Sequence, residues 1–123
     1  MMVRVLQANL QHNKAASAVL CRRMASGGFD IALIQEPWLR HGVVMGLKLQ
    51  GFKLLASPGL DPRACVLINE GLNCMLVQDL CSRDLAAVKI LGSPRSSPMV
   101  VASAYLPYDG PPTPSSADVR RLV

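Results

Sequence analysis

Asp30-Ile31-Ala32-Leu33-Ile34-Gln35-Glu36-Pro37-Trp38 is the stretch on which the fold turns. It starts with a carboxylate, runs through four apolar residues and ends by presenting Gln35 and Glu36. Gly27-Gly28 bounds it on one side and Pro37 on the other. A short apolar run between such breakers reads as a buried strand. A carboxylate at the mouth of a buried strand is a metal ligand, a general base or a satisfied polar group. The stretch by itself leaves those three readings open.

Upstream, Val3 to Asn9 alternates, is rich in branched residues, and reads as a strand ending in the polar Asn9. Asn13 is placed to cap a helix, and Ala15 to Met24 follows with Ala16, Val19, Leu20 and Met24 at helical spacing. Arg22 and Arg23 are expected in its last turns, where positive charge suits the helix dipole, and Gly27-Gly28 closes it. Strand, helix, strand is a unit in which the helix returns the chain and the two strands lie parallel. Asn9 and Glu36 then sit at the same end of one sheet, where ligands of α/β sheets tend to bind.

Downstream, the glycines between Arg40 and Gln50 predict an irregular loop. Phe52 to Ala56 predicts a short strand, and the unbroken apolar run Ala64 to Ile68 a central one. Asn73 to Val77, Leu85 to Leu91 and Met99 to Tyr105 predict further strands. The boundaries drawn are residues 1–107 for the domain portion and 108–123 for a Pro/Ser-rich tail leading into an incomplete helix.

The 123 residues fit one small domain or a piece of a larger one. Half are hydrophobic, with mean hydropathy +0.28, enough for a core and enough to leave a sheet face uncovered and prone to self-association. The net charge of +5 and pI near 9.4 suit a polyanionic partner, although no dense basic run marks a nucleic-acid arm. Cys21, Cys65, Cys74 and Cys81 lack zinc-ligand spacing and read as reduced, mostly buried thiols of an intracellular protein. No run approaches the roughly 18 apolar residues of a membrane helix.

Three predicted strand ends carry polar groups: Asn9, Gln35-Glu36 and Tyr105. An amide can position a ligand or a water, a glutamate is a hard oxygen donor suited to magnesium, and a phenol can donate to a phosphate oxygen. Convergence of the three would favour a divalent metal and a phosphoryl group.

These residues carry a resemblance. Gln7-Ala8-Asn9, Ile34-Gln35-Glu36-Pro37 and Ser103-Ala104-Tyr105-Leu106-Pro107 follow the order and rough spacing of the endonuclease/exonuclease/phosphatase family. Asn9 to Asn13, Gln35-Glu36-Pro37-Trp38, Pro62-Arg63-Ala64 and Tyr105-Leu106-Pro107-Tyr108 look more narrowly like the endonuclease domain of non-LTR retrotransposons. The resemblance implies an α/β fold, part of a four-layer sandwich of two packed, mostly antiparallel sheets flanked by helices. It implies a phosphodiesterase that nicks DNA with Mg2+ or Mn2+, with a reverse transcriptase domain in the parent element and a nuclear site of action.

Carried over by residue, Glu36 matches the metal-binding glutamate, Asn9 the asparagine beside metal and water, and Tyr105 the tyrosine at the scissile phosphate. Gln35 becomes a supporting polar residue, and Arg63 a candidate contact to the DNA backbone, with a solvated turn arginine as the competing reading. The family's later Asp-x-Asn and Ser-Asp-His motifs do not occur, and His12 and His41 read as exposed loop histidines. The resemblance therefore implies a truncated domain, weak in metal binding and inactive in isolation. The alternatives are a non-catalytic nucleic-acid-binding remnant and a partly folded fragment.

Overall fold

The computed structural model describes residues 3–91 and 97–106. Strand β1 (Val5–Asn9) leads into helix α1 (Lys14–Gly27) and strand β2 (Ile31–Gln35). A two-residue hairpin of β3 (Leu39–Arg40) and β4 (Val43–Val44) follows, then β5 (Phe52–Leu55) and β6 (Ala64–Asn69). Strand β7 (Cys74–Leu76), a 3-10 turn at Gln78–Leu80, β8 (Leu85–Ile90) and β9 (Met99–Ala104) complete the order.

β1 and β2 are parallel, with Asn9 opposite Gln35, as a helical crossover requires. The remaining pairings are antiparallel, giving one sheet in the order β1-β2-β6-β5 and a second in the order β7-β8-β9. α1 covers one face of the first sheet, and the second sheet covers the other. The architecture is mixed α/β in three layers among the described residues.

β2 and β6 show why their sequences are continuously apolar. Ala32 and Ile34 of β2, with Cys65 and Leu67 of β6, join Leu20 and Met24 of the helix in one cluster. Ile31, Val66 and Ile68 pack the other way, against Ala86, Val88 and Ile90 of β8. A strand buried on both faces loses the usual alternation. Each fully buried Ile or Leu here contributes roughly 1.5–3 kcal/mol over an exposed one.

The helix is set by its ends. Asn13 Oδ1 accepts the Ala16 amide at 3.1 Å, and Gly28 closes the helix at φ 71°, a left-handed conformation that glycine adopts without penalty. The helix runs three residues past Met24, because Ala25 and Ser26 do not interrupt it. Arg22 and Arg23 consequently lie before the last turn, which carries no basic residue.

The segment from Arg40 to Gln50 departs from an unstructured loop by the β3–β4 hairpin, whose turn uses His41 and Gly42 at positive φ. Of the cysteines, all free, only Cys65 is buried, and Cys21, Cys74 and Cys81 are half-buried. Pro107, Tyr108 and the predicted tail lie outside the described residues. The second edge of β9 has no strand partner among the described residues.

Two outcomes are expected from these contacts. Asn13→Ala removes the cap and lowers the unfolding free energy in urea by about 1 kcal/mol. Burial pushes the Cys65 thiol from its ordinary value of 9.0 up to about 12. The fold favours the neutral thiol, so this contribution to stability is complete below pH 9 and is lost as pH rises toward 12. In the native protein Cys65 should resist a thiol reagent at pH 8 and react only on unfolding, with the half-buried cysteines reacting first.

Candidate active site at the strand ends

The C-terminal ends of β1, β2 and β9 and the N-terminal ends of β6 and β8 meet at one edge of the two-sheet sandwich: the registers Asn9–Gln35, Gln35–Ala64 and Leu85–Ala104 align the ends within each sheet, and the Gln35–Ser103 hydrogen bond joins the sheets there. Ile31, Leu33 and Gln35 point toward the second sheet, and parallel pairing puts Asn9 on that same face. At this edge the apolar filling gives way to polar groups.

Gln35 is buried, and both ends of its amide are engaged. Its Nε2 donates to the Ser103 hydroxyl at 2.8 Å, and that hydroxyl donates to the Ile34 carbonyl at 2.5 Å. Gln35 Oε1 accepts from Gln7 Nε2 at 3.2 Å. Gln35 therefore clamps the two sheets together beneath the edge. Sequence reading gave Gln35 a supporting role near Glu36; in the structure its side chain is turned inward, toward Ser103.

Glu36 stands one residue further on, at φ 49°. A non-glycine residue in this region is uncommon and costs about 1–3 kcal/mol unless its surroundings hold it there. Here both backbone groups are held: Glu36 N–H donates to the Arg63 carbonyl, and the Glu36 carbonyl accepts from His12 N–H, each at 2.9 Å. The side chain is half-buried, and its carboxylate has no hydrogen-bond or ion-pair partner among the described residues. The backbone is thus strained and over-determined around a carboxylate left available.

Asn9 is exposed at the end of β1, and its Oδ1 accepts the Gln11 amide at 2.9 Å. That contact shapes the loop, in which Gln11 and His12 also take positive φ. The side-chain Nδ2 of Asn9 is left for a ligand among the described residues. His12 is exposed, as is His41. Nδ1 of His12 lies 3.0 Å from the Pro37 carbonyl and carries the proton in that contact, since a carbonyl only accepts.

Arg63 is committed within the protein. Its Nε and Nη2 meet the Asp84 carboxylate at 2.5 and 2.7 Å, a bidentate pair with the two side chains 28% and 21% exposed. Hydrogen bonding by Asp84 raises the guanidinium above its ordinary value. The same guanidinium lies 4.7 Å from the centroid of the Tyr105 ring, within cation–π range. Tyr105 N–H in turn donates to the Asp84 carbonyl at 2.8 Å. Asp84 and Ser103 are the partners that sequence reading passed over. A serine inside the apolar run of β9 was the available signal for one of them; nothing local marked the other.

Magnesium demands near-octahedral oxygen coordination and is usually held by one or two carboxylates together with substrate phosphates. Among the described residues no group of three or more His, Cys, Asp or Glu is placed to hold a metal. Asp84 is taken by Arg63, and the Glu36 carboxylate is left without a partner at this edge among the described residues. The donor chemistry suits a hard cation, but the described residues do not complete a site for one.

Among the described residues, two sheets lie face to face with a helix on the outside and polar strand ends gathered at one edge. Among solved structures the chain is similar to the endonuclease domain of TRAS1, a telomere-specific non-LTR retrotransposon, with 28% identity and a TM-score of 0.72. The similarity covers 89% of this chain and 47% of that one, so the chain spans about half the length of the structure it matches. No protein-family model and no curated protein matches the sequence.

Ser103→Ala strands the Gln35 amide in a dry environment. It should lower stability by about 1–3 kcal/mol in urea unfolding, the usual cost of a buried donor left without its acceptor. A change within a few tenths would mean that Gln35 finds another partner.

Proposed function

We propose that this chain supplies one half of a metal-assisted phosphodiester-cleaving centre that acts on DNA. The observation that carries the reading is the half-buried Glu36 carboxylate, without a partner among the described residues and fixed in a strained backbone at the edge where Asn9 and Tyr105 also lie. Glu36 would give one oxygen to Mg2+ or Mn2+, which when bound supplies charge neutralisation at a phosphate. Asn9 would orient a water or a phosphate oxygen through its Nδ2, and the Tyr105 phenol would donate to a phosphate oxygen. The similarity to a retrotransposon endonuclease domain supports DNA as the substrate. A reverse transcriptase domain as neighbour in a longer element belongs to the same reading.

The remaining ligands and the acid/base groups have to come from outside the described residues. Cooperating catalytic groups are grossly non-additive, so the chain by itself is expected to retain little turnover. The net charge of +5 favours a second reading, binding of DNA without cleavage.

Plasmid nicking in Mg2+, compared between the chain and Glu36→Gln, separates the two. A slow nicking rate that Glu36→Gln and chelation both abolish supports the first. Equal rates in chain and variant remove the enzymatic claim for this chain. DNA binding should weaken with salt in both proteins, and Glu36→Gln should bind at least as well, since it removes a negative charge that opposes phosphate.

A further inference from the structure

Three residues at the candidate site, Arg63, Asp84 and Tyr105, form a closed ring of contacts, and Glu36 is attached to it through Arg63. Glu36 N–H donates to the Arg63 carbonyl. The Arg63 guanidinium grips the Asp84 carboxylate through two nitrogens. The Asp84 carbonyl accepts from Tyr105 N–H. The Tyr105 ring stacks under the Arg63 guanidinium at 4.7 Å, which closes the ring. The residues come from four places in the chain: the end of β2, the entry to β6, and the β8 and β9 ends that pair across Leu85–Ala104. Arg63 is the only member that touches two of the three candidate site residues, Glu36 through its backbone and Tyr105 through its side chain.

We propose that Arg63 and Asp84 are positioning residues, a clamp that sets the Tyr105 ring relative to Glu36 across the junction of the two sheets. Backbone pairing alone fixes Tyr105 at its amide and leaves the ring free to rotate about its side-chain torsions. A bidentate arginine–carboxylate pair has a defined plane, and a guanidinium lying over the ring transmits that plane to the phenol. Lysine keeps the charge but not the fork, so it should replace arginine only in part. The neighbouring Arg83 is not part of the clamp: its Nε donates to the Asp61 carbonyl at 2.9 Å and braces the loop before β6.

The functional side of this inference rests on the proposed nuclease reading; the geometric side does not, and the two are read separately. The geometric readout is the NMR spectrum of ring-labelled tyrosine in the full chain, with Tyr105 assigned by the signals that Tyr105→Phe removes. Its ring signals should be displaced from those of a free tyrosine. They should move toward the free position in Arg63→Met and Asp84→Asn, and return part of the way in Arg63→Lys. Far-ultraviolet circular dichroism and a cooperative urea transition identify the variants that remain folded. If Arg63→Met does not fold, Asp84→Asn, which keeps the side-chain shape, gives the same reading. Tyr105 signals unchanged in a folded Arg63→Met or Asp84→Asn overturn the clamp.

The functional readout is plasmid nicking in the same variants. Arg63→Met should lower the rate by about the same factor as Tyr105→Ala, and the double variant should lose no more than either single one. Additive losses overturn the role of Arg63 through Tyr105. Absence of nicking in every protein, including the parent, counts against the nuclease reading and leaves the spectroscopic result to decide the clamp.

Discussion

Strand β2 has no side that faces water: α1 covers one face, and β8 and β9 close on the other. That constraint organises the rest. A strand covered on both faces can bring polar groups to solvent only at its ends, and its N-terminal end is occupied by packing around Phe29 and Asp30. Arg4 donates its amide to the Asp30 carboxylate there and lays its guanidinium over the Phe29 ring. The C-terminal end is therefore where the sequence turns from Ile34 to Gln35 and Glu36. Gln35 remains in the interior and is satisfied by Ser103 and Gln7; Glu36 is the first residue beyond the covered length.

The edge so defined is built from opposite solutions to one problem, how to fix a polar side chain near a core. Gln35 and Arg63 are fixed by direct side-chain partners. Among the described residues Glu36 is fixed through its backbone alone, by the Arg63 carbonyl and the His12 amide, and its carboxylate is left uncommitted. Groups meant to hold structure are consumed by it, whereas a group meant to meet a ligand must be rigid without being spent. By this criterion Glu36, and the Nδ2 of Asn9, separate from Gln35, Arg63 and Asp84.

The elements that were legible in the sequence were those with local signals. Asn13 and Gly28 bracket α1 by capping chemistry, and the unbroken apolar runs of β2 and β6 announced burial on both faces. The parallel pairing of β1 with β2 followed from the helix between them. What stayed hidden was long-range. Arg63 read as a DNA-backbone contact or a solvated turn arginine because its carboxylate partner lies 21 positions away, and Ser103 meets Gln35 across 68. The β3–β4 hairpin was masked by glycines that serve its turn and its flanks. A resemblance in motif order singled out Glu36, Asn9 and Tyr105, and could not say which of their neighbours hold them.

Residue 36 also bears on how this protein could change over time. Its left-handed backbone is one that glycine or asparagine adopts more readily than glutamate. Substitutions there that would relax the backbone are therefore the same ones that delete the carboxylate. Selection for robustness alone would drift this position away from glutamate, and selection for chemistry would have to oppose it. The persistence or loss of glutamate at this one site among related chains would report which pressure has prevailed.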